Sequence, residues 1–209
     1  MKRRQKFQFL LMLTSWLIFP LQVNADSPLT STGFAKAYHD HEIVKYAEKQ
    51  GVVDQKIADY LLKKSNRIDV KAAVCNALSW NFNGKENATL LKRFIAKSFG
   101  CTDFQSVKER KIKDEVWMIL GYLTALDNYF KPANALPFFE KVKRRKVLRS
   151  FTFQALYALV KCQVAMESNW CMIWTIYDAL ENNPRYKQDL REEARDIIKS
   201  YLLLYKSSC

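Results

Sequence analysis

Apolar residues recur at intervals of three and four along the chain from residue 34 onward. This spacing places apolar side chains on one face of an α-helix. It predicts nine helices, over residues 34–50, 54–65, 68–81, 86–99, 106–129, 133–145, 150–166, 169–181 and 187–206. The alternation of apolar and polar positions that is typical of β-strands is absent from the sequence. The predicted fold class is therefore all-α.

Glycine and proline are scarce, with five of each in 209 residues, and several separate the predicted helices. Gly51 and Gly100 follow predicted helices, where a residue that tolerates a left-handed backbone is common. Pro132 and Pro184 lie in connections, because proline cannot continue a helix. Pro137 falls inside a predicted helix and indicates either a late start or a kink.

The predicted helices form pairs in which a shorter helix precedes a longer, more apolar one. KIADYLLKKS precedes DVKAAVCNALSW, and the same order returns in ATLLKRFIAKSF with KDEVWMILGYLTALD, ALPFFEKVKRR with FTFQALYALVKCQVA, and WCMIWTIYDAL with REEARDIIKSYLLLY. Each second helix has a small residue between larger ones, at spacings of 44, 37 and 42 residues: Ala77, Gly121, Ala158 and Ser200. A period of about 40 residues with two helices per unit predicts a helical solenoid.

In its period and its pairing of helices, residues 54–206 resemble the HEAT-like and armadillo-like helical repeat proteins. The resemblance implies a short right-handed α-solenoid of paired antiparallel helices, with about four pairs and helix 34–50 as an N-terminal cap. Residues 26–209 would then form one domain. Two alternatives stay open. ANALPFFEKV is similar to a helix of tetratricopeptide repeats, whose period of about 34 residues fits less well, and a non-repetitive helical bundle can mimic the periodicity.

The first 25 residues have the layout of a secretory signal peptide. Four basic residues within the first six precede an uncharged run over residues 7–25, which Pro20 interrupts. Small residues at positions 23 and 25 predict cleavage after Ala25. An uncleaved membrane anchor is disfavoured, because the apolar stretch before Pro20 spans about 13 residues and a membrane span needs about 20. We therefore expect an exported protein of the bacterial periplasm or cell surface, with no transmembrane span in the mature chain.

The charge of the chain favours anionic partners. Cleavage after Ala25 would leave 184 residues and lower the formal net charge from +13 to +9, because it removes four basic and no acidic residues. A chain of this length can fold as one domain without disulfides. The basic excess that remains favours association with acidic molecules or anionic surfaces.

The segment KVKRRKVLR, over residues 141–149, concentrates six basic residues in nine positions. Such a cluster can bind phosphates, sulfated sugars or anionic lipid head groups by charge pairing. It lacks the interleaved aromatic residues of a nucleic-acid groove, so no nucleic-acid partner is expected. The alternative is a solvated connection between two helices. The candidate binding residues are Lys141, Lys143, Arg144, Arg145, Lys146 and Arg149.

All five cysteines follow residue 25, in the part of the chain expected to enter an oxidising compartment, where some should pair. Cys162 and Cys171 flank a predicted turn between two helices, which can bring them to bridging distance. Cys75 and Cys101 are the second candidate pair, and Cys209 is then free or intermolecular. The sequence leaves the other pairings open. Because Cys75 has no counterpart in the next helix pair, we expect it in a bridge or as a buried thiol.

Two clusters invite a ligand and have simpler explanations. His39 and His41 alternate with acidic residues, but side chains two positions apart on a helix diverge and cannot share an ion. We expect that segment to be the solvated first turn of a helix, with no metal. Trp170 and Trp174 lie one helical turn apart; an apolar core stripe is the expected explanation and a sugar-stacking platform the alternative.

The sequence predicts an exported, non-catalytic helical-repeat module that binds a protein or peptide partner in the cell envelope. One alternative is a binder of anionic envelope polymers or lipid head groups through residues 141–149. Another is an immunity or inhibitor protein acting on a toxin or hydrolase. No P-loop, nucleophile elbow or dinucleotide-binding fingerprint occurs, so we expect no cofactor and no catalysis, with an unrecognised hydrolase as the remaining enzyme alternative.

Overall fold

A computed structural model describes residues 26–209 of the protein, and the predicted signal peptide lies outside these residues. Residues 26–209 form ten α-helices and no β-strand, which confirms the all-α prediction. The helices are α1 (Glu42–Gln50), α2 (Gln55–Leu62), α3 (Ile68–Ala77), α4 (Asn87–Ser98), α5 (Asp114–Asp127), α6 (Leu136–Glu140), α7 (Arg145–Leu148), α8 (Phe151–Ala165), α9 (Trp170–Glu181) and α10 (Glu192–Leu202). Short 3-10 segments cover Phe34–Tyr38, Glu109–Lys111, Pro132–Ala135 and Leu203–Ser208.

Helices α3, α5 and α8 form the centre of the fold, and each contacts the other two. Their sequences are apolar on nearly every face, as expected for helices that other elements surround. Every residue of α3 from Asp69 to Ala77 is buried, and most residues of α5 and α8 are buried as well. The outer helices cover this centre, with α1 and α2 on α3, α4 on α5, and α9 on α8.

Each of the four predicted helix pairs is in contact: α2 with α3, α4 with α5, α6 with α8, and α9 with α10. The two ends of the described chain also meet. The 3-10 segment Phe34–Tyr38 packs between α3 and α10. No helix within residues 26–209 combines the length and the apolar composition that a membrane span requires.

Several helix ends follow from local sequence. The side chains of Asp54, Ser150 and Asn169 accept hydrogen bonds from backbone amides in the first turns of α2, α8 and α9, at 2.9, 3.2 and 3.1 Å. Such caps satisfy donors that have no partner within the helix. Gly51 ends α1 with a φ of 63°, as its position in the sequence predicted. Pro137 lies in the first turn of α6 and therefore marks a late helix start.

The predicted helix 34–50 is divided at residues 39–41, so its continuity was wrong. The segment still forms the solvent-exposed start of a helix, because Asp40 and Glu42 are exposed, His39 is partly exposed and α1 begins at Glu42. Asp40 forms a two-pronged ion pair with Arg191, with nitrogen–oxygen distances of 2.6 and 2.8 Å. The same guanidinium lies 4.5 Å from the ring centre of Tyr38. His41 has an extended backbone, and α1 begins at the next residue. The break coincides with this contact to residue 191, which the local sequence does not reveal.

The small residues of the predicted repeat have different environments. Gly121, Ala77 and Ala158 are all buried, and Gly121 lies against the ring of Phe139. Ser200 is exposed, so it is not a close-packing position, contrary to the prediction. The small-residue pattern therefore holds for α3, α5 and α8 and ends there.

Candidate anion-binding surface

The predicted basic segment forms a turn and a single short helix between α6 and α8. Val142 and Val147 are buried and anchor this turn to the core. Lys143, Arg144 and the basic residues at the start of α7 are exposed. Two apolar anchors thus hold the backbone while the cations between them face solvent.

Asp114 fixes the conformation of the turn. Its carboxylate, at the first residue of α5, accepts hydrogen bonds from the backbone amides of Lys143, at 2.8 Å, and Arg144. The side chains of Lys143 and Arg144 take no part in this contact. The turn is therefore held in place without using its side-chain cations.

A second basic segment lies beside the turn. The ammonium of Lys141 pairs with Glu109 and lies 4.6 Å from the ring centre of Trp117. This contact brings the sequence KERKIK, residues 108–113, next to residues 141–149. Lys141 is neutralised by this ion pair, so it is a weaker candidate than the sequence suggested, while Lys108, Arg110 and Lys111 are exposed.

A third segment reaches the surface through backbone pairing. The amide of Lys187 donates to the carbonyl of Arg149 at 2.6 Å, and the amide of Phe151 donates to the carbonyl of Lys187 at 2.9 Å. Lys187 is exposed beside Arg149. A cation that is 38 positions away in sequence therefore joins the surface.

These three segments concentrate cationic side chains, and the carboxylates that lie among them, Asp114 and Asp189, bind backbone amides. We call their unpaired cations the basic surface. In the described part of the chain, none of its ammonium or guanidinium groups has a carboxylate oxygen within 4.0 Å. Guanidinium and ammonium groups form strong hydrogen bonds to phosphate and sulfate oxygens. The basic surface consists of Lys108, Arg110, Lys111, Lys113, Lys143, Arg144, Arg145, Lys146, Arg149 and Lys187.

Sequence reasoning found five of these ten residues and missed two groups. The run KERKIK was visible in the sequence, but nothing there placed it beside residues 141–149. No sequence pattern placed Lys187 beside Arg149, because that proximity depends on backbone hydrogen bonds between distant segments.

The cysteine pairing differs from the prediction. Cys171 is bonded to Cys209, with 4.7 Å between their Cα atoms. Cys162 is instead a buried free thiol, and it donates to the carbonyl of Ile173 at 3.5 Å. The predicted Cys162–Cys171 bridge is therefore wrong, because Cys162 faces the interior of the α8–α9 contact and Cys171 faces the C-terminal segment.

The predicted Cys75–Cys101 bridge is also wrong, since both thiols are free. Cys75 is fully buried in α3, which confirms the expectation of a buried thiol. Burial raises the pKa of the Cys75 thiol well above its ordinary value, and it raises the pKa of the Cys162 thiol to about 12. Both thiols are therefore protonated near neutral pH.

The remaining candidate clusters do not form a second polar site. Among residues 26–209, no group of three His, Cys, Asp or Glu side chains is placed to hold a metal ion. Trp170 is exposed and Trp174 is half-buried, so the pair is not the core stripe that the sequence predicted. Of the three aromatic side chains on α9, Tyr177, one turn after Trp174, is the buried one.

Comparisons of the chain with protein-family models, with curated proteins and with solved structures gave no match.

Proposed function

We propose that the protein is a non-catalytic binding module whose basic surface holds an anionic polymer that carries phosphate or sulfate groups. The observation that carries this proposal is the convergence of three segments whose exposed cations have no carboxylate partner in the described chain. The alternative of a solvated connection accounts for residues 141–149 alone. It does not account for the assembly of residues 108–113 and Lys187 around them.

The form of the basic surface supports a polymer more than a small ligand. Its cations lie on exposed turns and not in an enclosed cavity, so affinity would come from several charge pairs along an extended partner. Interactions between exposed charges weaken as salt is added, because the Debye length falls to about 8 Å at physiological ionic strength. Binding through this surface should therefore be strongly salt-dependent.

Chromatography on immobilised heparin, a sulfated polymer, tests the proposal. The variant Arg144→Glu/Arg145→Glu should elute at a much lower salt concentration than the unaltered protein. The matched control is Lys63→Glu/Lys64→Glu, which changes the net charge by the same amount at an exposed basic pair after α2. The control should elute close to the unaltered protein, and circular dichroism should show all three proteins folded.

Equal elution of the two double variants would contradict the proposal, because retention would then reflect net charge alone. Retention that does not change with salt would contradict it as well.

We propose further that the protein is exported and that its signal peptide is removed after Ala25. The disulfide between Cys171 and Cys209 supports this, because disulfides persist in oxidising compartments. Mass spectrometry of the protein from the periplasm or medium should find Asp26 as the first residue. A chain that retains residues 1–25 would contradict the proposal.

We infer that the helix pairs are related units, as the resemblance to helical repeats implies. The contacts within each pair support this, whereas the contact of Phe34–Tyr38 with α10 is unusual for a solenoid, in which each unit contacts only its neighbours. A chain that ends at residue 183, before α10, discriminates between a solenoid and a non-repetitive helical bundle. A solenoid should keep a cooperative unfolding transition without α10, and loss of that transition would overturn the solenoid.

A further inference from the structure

A cavity of about 410 Å³ opens where the three central helices end. Phe82 lies in the loop after α3, Tyr129 and Phe130 follow α5, and Met166 and Glu167 follow α8. A volume of this size suits a small ligand or a few side chains of a partner. The cavity uses none of the residues of the basic surface.

The mouth of the cavity is apolar and exposed. Phe82 and Phe130 are 69% and 56% exposed, and their rings meet edge to face at 5.5 Å between centroids. Trp170, also exposed, donates its indole N–H to the carbonyl of Met166 at 3.1 Å and extends the apolar area. Clusters of large exposed apolar side chains are uncommon on monomers and mark interaction sites.

The wall of the cavity carries a buried polar atom without a partner. Tyr129 is only 5% exposed, and its hydroxyl has no hydrogen-bond partner within residues 26–209. Buried hydroxyls are normally hydrogen-bonded. Because this oxygen is shielded from solvent, it does not face the open cavity, and Tyr129 contributes to the cavity wall through its ring.

The charged side chains that line the cavity are the carboxylates of Asp26 and Glu167. Cleavage after Ala25 would leave the α-amino group of Asp26 beside its own carboxylate, so Glu167 is the lining carboxylate without a compensating charge. Asp26 accepts from the hydroxyl of Ser31 at 3.1 Å, whereas Glu167 has no side-chain partner in the described chain. The C-terminal ends of α5 and α8 add partial negative charge at the same end of the fold, whereas the carbonyl of Leu78 at the end of α3 already binds the ammonium of Lys85.

We propose that this cavity binds a peptide segment of a partner protein in which a Lys or Arg residue lies next to an apolar one. The apolar side chain packs against Phe82 and Phe130, and the cationic group pairs with Glu167. This site is independent of the proposed binding of an anionic polymer, because the two surfaces share no residue and prefer opposite charges.

Selection from a random heptapeptide display library against the intact protein tests the site. Peptides that also bind the Phe82→Ser/Phe130→Ser variant are discarded, which removes acidic peptides held by the basic surface. The peptides that remain should combine an apolar residue with a neighbouring Lys or Arg. They should bind the Phe130→Ser variant about tenfold more weakly than the unaltered protein. The matched control is Phe99→Ser, at another exposed phenylalanine, and it should bind these peptides with unchanged affinity.

Glu167→Lys provides the charge test on the same peptides. The substitution should weaken the binding of peptides that contain Lys and strengthen the binding of copies in which Glu replaces that Lys. The proposal is overturned if no peptide distinguishes the unaltered protein from the double Phe variant, or if Glu167→Lys leaves the charge preference unchanged. Self-association of the protein that Phe130→Ser abolishes would also overturn it, because a second copy would then occupy the cavity.

Discussion

Gly121 of α5 lies directly against the ring of Phe139. A Cβ atom added to Gly121 would be 2.5 Å from Cε2 and 2.7 Å from Cδ2 of that ring. The ring is itself confined, because Phe139 is buried and stacks on Tyr157 with 5.0 Å between ring centres. The absence of a side chain at residue 121 therefore allows α5 and α6 to approach each other.

Gly121→Ala should destabilise the protein by about 1–3 kcal/mol, the usual cost of overpacking a core. Urea unfolding followed by circular dichroism measures the change. Ser200→Ala, at the exposed position that the sequence pattern equated with Gly121, should change stability by less than about 0.5 kcal/mol.

Shortening the opposing side chain should relieve the clash. In Gly121→Ala/Phe139→Leu, the loss of stability should be smaller than the sum of the losses in the two single variants, since they share one contact. A strictly additive double variant would contradict the contact with the ring of Phe139 as the source of the cost.

The ion pair between Asp40 and Arg191 should make stability depend on pH in the acid range. Arg191 lowers the pKa of Asp40 from 3.8 to about 2. A carboxyl whose pKa is lower in the folded state stabilises the fold above its unfolded pKa, and it loses that contribution as pH falls through its folded pKa. Asp40→Asn should therefore destabilise the protein at pH 7, and the difference from the unaltered protein should shrink between pH 3.8 and pH 2.

The free energy of unfolding of both proteins, measured across that range, checks this expectation. Arg191→Met provides the complementary variant, because it should abolish the same pH-dependent difference. A difference between unaltered protein and Asp40→Asn that is constant from pH 7 to pH 2 would contradict the ion pair.

The cysteines should divide into three classes on alkylation. In the native protein, iodoacetamide should modify Cys101 alone, because it is partly exposed whereas Cys75 and Cys162 are buried thiols. Denaturation should expose three thiols, and reduction should then release Cys171 and Cys209. Mass spectrometry of the labelled peptides identifies each class. Labelling of Cys209 before reduction would contradict the Cys171–Cys209 bridge.

Substitutions of Lys71 and of Glu115 should destabilise the protein to different extents. The side chain of Lys71, in α3, is 1% exposed, and its ammonium pairs with Glu115 at 3.0 Å. Glu115→Ala leaves that ammonium buried without a partner and should cost about 3 kcal/mol. Lys71→Met removes the buried charge and keeps the volume, so it should cost less. Chemical denaturation of the two variants compares these losses, and a larger loss in Lys71→Met would contradict the explanation.

Most helix positions were predictable, because they depend on local patterns that one sequence contains. Gly51 ends α1, Pro184 separates α9 from α10, and the apolar faces place α3, α5 and α8 in the core. The division of helix 34–50 was not predictable. It coincides with the ion pair between Asp40 and Arg191, about 150 residues away, which exists only after the chain has folded.

In the candidate sites as well, features set by local sequence were predictable and features set by long-range contacts were not. Residues 141–149 were predictable as a basic run, whereas Lys187 joins them through backbone pairing. The bridge from Cys171 to Cys209 spans 38 positions, and nothing local favours it over Cys162. The aromatic cavity was missed because its residues come from the N-terminal segment, from α8 and from three separate loops. Each loop contributes one or two side chains that appear ordinary by themselves.

The meeting of the two chain ends has a consequence for how the molecule is made. The amide of Leu29 donates to Gln163, 134 positions later, and the hydroxyl of Tyr38 accepts from the amide of Arg191, 153 positions later. Contacts of such long range are made late, since the intervening chain must first be ordered. Residues 27–38 have early partners in α3, where Asn76 binds the amide of Ala35 and Asp69 binds the hydroxyl of Tyr38, whereas residue 191 is synthesised much later. A nascent chain that stops short of residue 191 therefore leaves the side of Phe34–Tyr38 that faces α10 uncovered.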